Sequence, residues 1–460
     1  MNETRFVTLT SIVGLVFVAA VYLPAVGQGF VKDDFRWLAD ARTALAEPAR
    51  AVLPRLPNFY RPVVTASFAA DYALFGLDAR AYGLTNLALY IACAAAICSL
   101  LRAAGLGRAP AAAGALAWAL NPHGINMAVV WLSGRTSLLL TLFAVVSMLA
   151  FLRGRRWIGA AWLLAALFSK EEAVALPFVF LVWLFALGSG EGKDRFGRIH
   201  DALALFAPLV VYIAARAQTP ALMPSTAPSF YRLSADPRVV GVNALSYFDR
   251  SVTFFAFMTL VAGVAYGLAS IRARLHRDLP LGAAGPTRLP QLLAAGLAWL
   301  VGGYAVTVWL PVRSSLYAVF PSVGAAVICA ALVEAMRDGS GRRARGDLRF
   351  GVALVAMLAF VPVYQRRNDR WVQPARLSAR IVQALTTAPP VPGSTGAVLF
   401  EDEPGGYATF DTALGPLASS AVQVVTNLPL EARIIPPGHP WTGLAAARYR
   451  LTSGRVERIN

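Results

Sequence analysis

The sequence predicts an all-α polytopic membrane protein of about eleven transmembrane helices, with a small external α/β appendage at its carboxyl end. Three observations carry that expectation. Of 460 residues, 57% are hydrophobic and 15% charged, with a mean hydropathy of +0.56; a soluble chain is about half apolar and about a quarter charged. Apolar stretches of about 20 residues, the length that crosses a hydrocarbon core of about 30 Å, recur from Phe6 to Tyr364. The gaps between them differ systematically in basic content, which orients the chain.

Candidate spans fall at 6–26, 84–101, 109–131, 135–152, 157–169, 172–188, 200–216, 246–271, 290–311, 314–335 and 350–364. With the amino terminus inside, the cytoplasmic segments collect Arg5, then Arg102 and Arg108, then Arg153, Arg155 and Arg156, then Lys193, Arg195 and Arg198, then Arg272, Arg274, Arg277 and Arg288, and finally Arg337, Arg342, Arg343, Arg345 and Arg349. The short turns on the other side are poor in basic residues, as the positive-inside rule requires. Most of the net charge of +17 is therefore topological, which removes the main support for nucleic acid as a partner. The first span is longer than a signal-peptide core, so Ala25-Val26-Gly27 is read as the end of an uncleaved anchor. Cys93, Cys98 and Cys329 lie inside apolar segments and indicate no disulfide framework. Arginine outnumbers lysine 39 to 3, which fits a high-GC bacterial source and an inner-membrane location.

Residues 1–364 form the expected transmembrane domain. Its first external loop, 27–83, carries Asp33, Asp34, a proline cluster and an amphipathic stretch, Val63–Phe75, expected to lie along the membrane surface. Residues 365–460 form the external carboxyl-terminal domain. A proline-rich linker, Ala388–Gly393, precedes alternating runs at Ala397–Phe400, Ala421–Val425 and Arg433–Ile435.

The informative charges are those that topology does not explain. Arg135, Lys170 and Arg313 each stand at an apolar helix end in a short external turn, where an ionisable group is expensive and tends to face a cavity. Snorkelling to headgroups is the alternative for any one of them. The same side carries Asp33-Asp34. One carboxylate as general base and several cations for a phosphate are the minimum for moving a group from a phosphate-linked donor to a hydroxyl. Arg61 is a fourth candidate cation, and Lys32 could hold a neighbouring carboxylate ionised. Glu171 and Glu172 are either partners of Lys170 or ligands for substrate hydroxyls. His123, in Asn121-Pro122-His123-Gly124, is more naturally a polar contact at a broken helix than a metal ligand. No nucleotide loop, His-Glu-x-x-His or paired cysteines at metal spacing occurs.

These motifs, in order, resemble those of the GT-C class of multi-span glycosyltransferases, and within it the transmembrane and tetratricopeptide-repeat O-mannosyltransferases and their bacterial relatives. They run from Phe30-Val31-Lys32-Asp33-Asp34 through Tyr60-Arg61-Pro62, Tyr72–Leu77 with Tyr82 and Asn86, and Asn121-Pro122. Ser133-Gly134-Arg135, Ser169-Lys170-Glu171-Glu172, Arg313-Ser314-Ser315-Leu316-Tyr317 and Arg367-Asn368 follow. The resemblance implies an external active site that transfers a monosaccharide, mannose-like, from a polyprenyl-phosphate donor to a glycan, lipid or protein acceptor. It implies Asp33 or Asp34 as base and donor-phosphate surroundings from Arg135, Lys170 with Glu171, and Arg313 with Tyr317; the residues themselves add Arg61 as a donor-phosphate candidate and Glu171, Glu172, Tyr317 and His123 as substrate-contact candidates. No cofactor is firmly implied, and a divalent metal is not excluded. The family's usual His-Pro is Asn121-Pro122 here, a histidine is replaced by Tyr90, and the repeats are absent, which leaves sugar and acceptor open. A lipid-linked oligosaccharide ligase or polymerase and a lipid-linked-sugar flippase are the rival expectations.

Overall fold

The computed structural model describes residues 3–53, 59–187, 195–222, 228–275, 288–338, 359, 361–403, 408–439, 441 and 443–459. The expected span at 350–364 lies largely outside the described residues. The chain is predominantly helical. Helix α1 (Glu3–Tyr22) is followed by α2 (Asp33–Ala46), α3 (Pro62–Phe75) and α4 (Ala79–Ala103), then by α5 (Arg108–Ala119), α6 (Ile125–Val130), α7 (Arg135–Leu152) and α8 (Arg156–Leu167). Helices α9 (Leu176–Leu187), α10 (Arg195–Ala217), α11 (Pro237–Phe248), α12 (Phe254–Leu275), α13 (Leu289–Gly303) and α14 (Ser322–Asp338) continue the bundle.

Among the described residues, Ala79–Ala103, Leu132–Leu152 and Ile199–Ala217 are long and apolar enough to cross a membrane. Several expected spans are interrupted, each for a local reason. Asn121-Pro122 ends α5, because proline offers no amide donor and restricts the residue before it, so 109–131 is two helices rather than one. The segment 246–271 is split by a π turn at Asp249–Thr253. The segment 290–311 is helical only to Gly303, and 314–335 opens as a 3-10 turn at Ser315–Ala318. Outward-facing apolar side chains such as Phe185, 91% exposed, and Val210, 65% exposed, are what a lipid-facing surface requires and a water-facing one avoids.

Helix α15 (Val361–Thr387) runs without interruption from the bundle into the carboxyl-terminal unit, through the point where the sequence suggested a division. Beyond it, β1 (Ala397–Glu401), β2 (Ala432–Ile435), β3 (Ala445–Thr452) and β4 (Arg455–Ile459) form one sheet in the order β2-β1-β3-β4. Strand β1 is parallel to both neighbours and β4 antiparallel to β3. The run Ala421–Val425, read from its alternation as a strand, belongs to helix α16 (Ala418–Thr426). Its buried residues Ala418, Ala421 and Val422 repeat at i, i+3 and i+4, the helical spacing.

The carboxyl-terminal unit shares a core with the first loop. Phe35, Leu38 and Ala41 of α2 and Phe68 of α3 pack in one cluster with Leu377, Val398, Phe400, Phe410, Leu414 and Val422. Each fully buried large apolar side chain contributes about 1.5–3 kcal/mol, so this shared core holds the Asp33-bearing helix against the tail. Val63–Phe75, expected to be an amphipathic surface helix, is α3, with Val64 and Phe68 buried in that cluster.

Candidate active site

Helix α2 begins at the acidic pair, where exposed helix-end amides favour negative charge. Its two carboxylates have different fates. Asp34 is fully buried; its Oδ2 accepts the Val31 N–H at 2.7 Å, and its Oδ1 accepts the Ser133 N–H at 2.7 Å and the Ser133 hydroxyl. It thereby ties α2 to the Ser133-Gly134 turn. Burial pushes its carboxyl up to about 7, although those three donors pull the other way. Asp33 is half-buried and makes no hydrogen bond or ion pair among the described residues. Burial raises its carboxyl above its ordinary range, and the cations that oppose this are Arg61, Arg36 and Lys32.

Arg135 does not face open space. Its guanidinium is completely buried, and its five N–H donors are all engaged: Nε to Asn86 Oδ1 at 2.8 Å, Nη1 to the Ser67 carbonyl and hydroxyl, and Nη2 to Asp71 Oδ2 at 2.6 Å and the Tyr82 carbonyl. Phe68 stacks on it with its ring centre 4.5 Å away. Gly134, just before it, packs so tightly that a side chain would collide with the Ala128 backbone. The Ser-Gly-Arg motif is thus a joint holding α3, α4 and α7 together, and Arg135 has no donor left for a phosphate.

The Lys-Glu motif forms a 3-10 turn, Glu171–Ala175, between α8 and α9. Arg61 reaches Glu171 through two hydrogen bonds, Nε to Oε2 at 3.0 Å and Nη2 to Oε1 at 2.6 Å. Burial opposes ionisation of Glu171, but the Arg61 guanidinium outweighs it and holds the carboxyl below its usual range. Lys170 Nζ lies 2.8 Å from Glu172 Oε1, donates to Ser137 Oγ at 3.0 Å, and sits 5.0 Å from the centre of the Tyr317 ring. Glu172 Oε2 is buried and has no hydrogen-bond partner among the described residues. That carboxylate oxygen is an open acceptor inside the site.

A row of aromatic and charged groups continues from there. Tyr231 feels the charges of Asp33, Arg61 and Glu171, and Tyr317 those of Glu172, Glu171 and Arg61. Tyr247 lies edge-on to Tyr317 at 6.2 Å and feels Arg250, Glu172 and Arg313. Arg313 is exposed and makes no hydrogen bond or ion pair among the described residues.

Arg250 went unassigned in the sequence. It sits on the π turn Asp249–Thr253, a distortion that often marks functional positions. The turn is pinned by Asn121 Nδ2 donating to the Arg250 carbonyl at 3.2 Å and by the Ser251–Tyr304 hydroxyl contact. The Arg250 Nη1 is buried with no hydrogen-bond partner among the described residues. Arg367 stands nearby, donating to the Pro122 carbonyl at 2.5 Å with its Nη1 3.4 Å from His123 Nδ1. Arg250, Arg313 and Arg367 form no ion pair among the described residues, so this end of the row has an excess of positive charge. The signal in the sequence was Asp249-Arg250 inside an otherwise apolar run. Among the described residues, no three His, Cys, Asp or Glu side chains are grouped to hold a metal ion.

The fold is similar to that of solved GT-C membrane glycosyltransferases. ArnT from Cupriavidus metallidurans bound to undecaprenyl phosphate matches with a TM-score of 0.51 and 15% identity, over 94% of this chain and 86% of that one. The Archaeoglobus fulgidus oligosaccharyltransferase AglB, in complex with an inhibitory peptide and a dolichol-phosphate, matches with a TM-score of 0.50 and 12% identity over 94% of this chain. The chain spans 65% of the length of that oligosaccharyltransferase. No protein-family model and no curated protein matches the sequence.

Proposed function

We propose that this chain is a membrane glycosyltransferase that moves a monosaccharide from a polyprenyl-phosphate carrier to an acceptor hydroxyl, with inversion at the anomeric carbon. The observation that carries this reading is the contrast within the acidic pair: Asp34 is occupied by Val31 and Ser133, while Asp33 is partly accessible and, among the described residues, unpartnered beside Arg61. A half-buried carboxylate among cations, with no hydrogen-bond partner among the described residues, is suited to accept a proton.

Asp33 takes the proton from the acceptor O–H as that oxygen forms the new bond to the anomeric carbon. The bond from that carbon to the phosphate oxygen breaks, and its electron pair leaves with the polyprenyl phosphate. Arg250 and Arg313, both without ion-pair partners among the described residues, and Arg367 near Arg250 offset the charge that grows on the departing phosphate. Of the cations first considered for this role, Arg313 is kept. Lys170 and Arg61 act by fixing Glu172 and Glu171, whose carboxylates, with Tyr317, take sugar or acceptor hydroxyls, and His123 positions Arg367. The undecaprenyl-phosphate and dolichol-phosphate complexes of the two structural neighbours make such a carrier the first donor to test. We place the site on the external face of a bacterial inner membrane, the orientation that the basic loops favour.

The test is transfer of labelled sugar from a polyprenyl-phosphate donor in membranes containing the wild type or Asp33→Asn. The variant is expected to insert normally and lose transfer. Wild-type rates for Asp33→Asn would remove it as the base. Comparing envelope glycans and glycoproteins of a deletion strain by mass spectrometry would identify sugar and acceptor.

A further inference from the structure

The residue before the proposed base has an unusual backbone. Lys32 sits at φ 51°, ψ −115°, the first central position of a type II′ turn closed by the Asp34 N–H donating to the Val31 carbonyl at 3.2 Å. That conformation suits glycine, and a side-chain-bearing residue keeps it only where its surroundings impose it. Here the imposing group comes from far along the chain. The Lys32 N–H donates to the Ala413 carbonyl at 2.9 Å, and the Lys32 aliphatic stem lies against Gly415. A second grip lies further along α2: Arg42 donates to the Val424 carbonyl at 3.1 Å and to Asn427 Oδ1, covering the carboxyl-terminal end of α16.

We propose that the carboxyl-terminal unit is a positioning element for catalysis, holding Lys32 in this turn so that Asp33 stays beside Arg61. Asp34 fixes one side of the turn through Val31 and Ser133, and Ala413 fixes the other. Between them Asp33 has one direction to point. If Lys32 relaxed to negative φ, the following peptide would rotate and carry Asp33 away from Arg61. The tail thus does work in the reaction without contributing an atom to it. This inference rests on Asp33 being the base.

The experiment compares Lys32→Val and Lys32→Gly in the full-length protein, with Asp33→Asn as reference. Both Lys32 variants lose the same ammonium group, but valine resists positive φ and glycine adopts it freely. Lys32→Val is expected to lower kcat about tenfold or more per folded molecule, the scale of a small misplacement of a reacting group. Its donor KM should stay near wild type, and the acid limb of its pH profile should move away from that of Lys32→Gly. Lys32→Gly should restore kcat. Should the valine protein not fold, Arg42→Ala loosens the tail's grip while leaving the turn sequence intact, and it should lower kcat with donor KM unchanged. Equal kcat for valine and glycine, or full kcat in Arg42→Ala where valine does not fold, would overturn the proposal. If Asp33→Asn is inactive while Lys32→Val is not impaired, only this inference falls; if Asp33→Asn retains transfer, the assignment of the base falls with it.

Discussion

Ser133 donates both its N–H and its hydroxyl to a single carboxylate oxygen of Asp34, across 99 residues of chain. That contact locks the start of α2 to the Ser-Gly-Arg turn, and on our proposal it leaves proton transfer to the adjacent aspartate. Its neighbour Asp33 is left with charges around it and no hydrogen bond among the described residues.

The pH dependence follows from that setting. Burial raises Asp33, and a base must lose its proton to act, so kcat/KM should climb with pH through a limb above the ordinary carboxylate value of about 4. Arg61 favours the charged form of Asp33. Removing it in Arg61→Ala should move the limb to still higher pH, as measured from initial rates across a buffer series. A limb that stays put or falls would break the link between Arg61 and the base.

Arg135 and Asp71 form a buried ion pair at 2.6 Å. Deleting one partner strands the other charge in the interior, a loss of about 3–5 kcal/mol. Arg135→Ala should therefore lower Tm and the yield of inserted protein. Any folded Arg135→Ala should keep a normal donor KM, and a selective rise in donor KM at unchanged Tm would instead make Arg135 a phosphate ligand.

Arg250 carries the opposite expectation. Arg250→Ala should leave Tm close to wild type and reduce use of the polyprenyl-phosphate donor, with kcat/KM falling about a hundredfold on the scale of a lost charge-stabilising donor. Arg313→Ala should act in the same direction, read from donor titrations in detergent. Undiminished donor use in both variants would displace the phosphate from this end of the site.

The helical membrane architecture was legible because hydropathy and the distribution of arginine are local properties of the chain. The break at Asn121-Pro122 was legible because proline announces it; the end of α13 was less so, because apolar composition continues through it while the backbone does not. At the candidate site, the sequence singled out Asp33-Asp34 but could not tell the two apart, since what distinguishes their surroundings is Ser133, 99 residues away from Asp34. Arg135 looked like a free cation at a helix end because its partners Asp71 and Asn86 lie on α3 and α4. Arg250 was hidden inside an apolar run, where only the π turn brings it beside Arg367 and Tyr247.

The most direct measurement sets Asp33→Asn beside Asp34→Asn, each scored for thermal stability and for sugar transfer per folded molecule. Asp33→Asn should keep Tm and lose transfer. Asp34→Asn sets an amide against the Val31 and Ser133 donors, leaving buried groups unpaired at about 1–3 kcal/mol each, so it should lower Tm, and the molecules that remain folded should retain activity. The reverse pattern, an active Asp33→Asn and a stable but inactive Asp34→Asn, would contradict the assignment of Asp33 as the base.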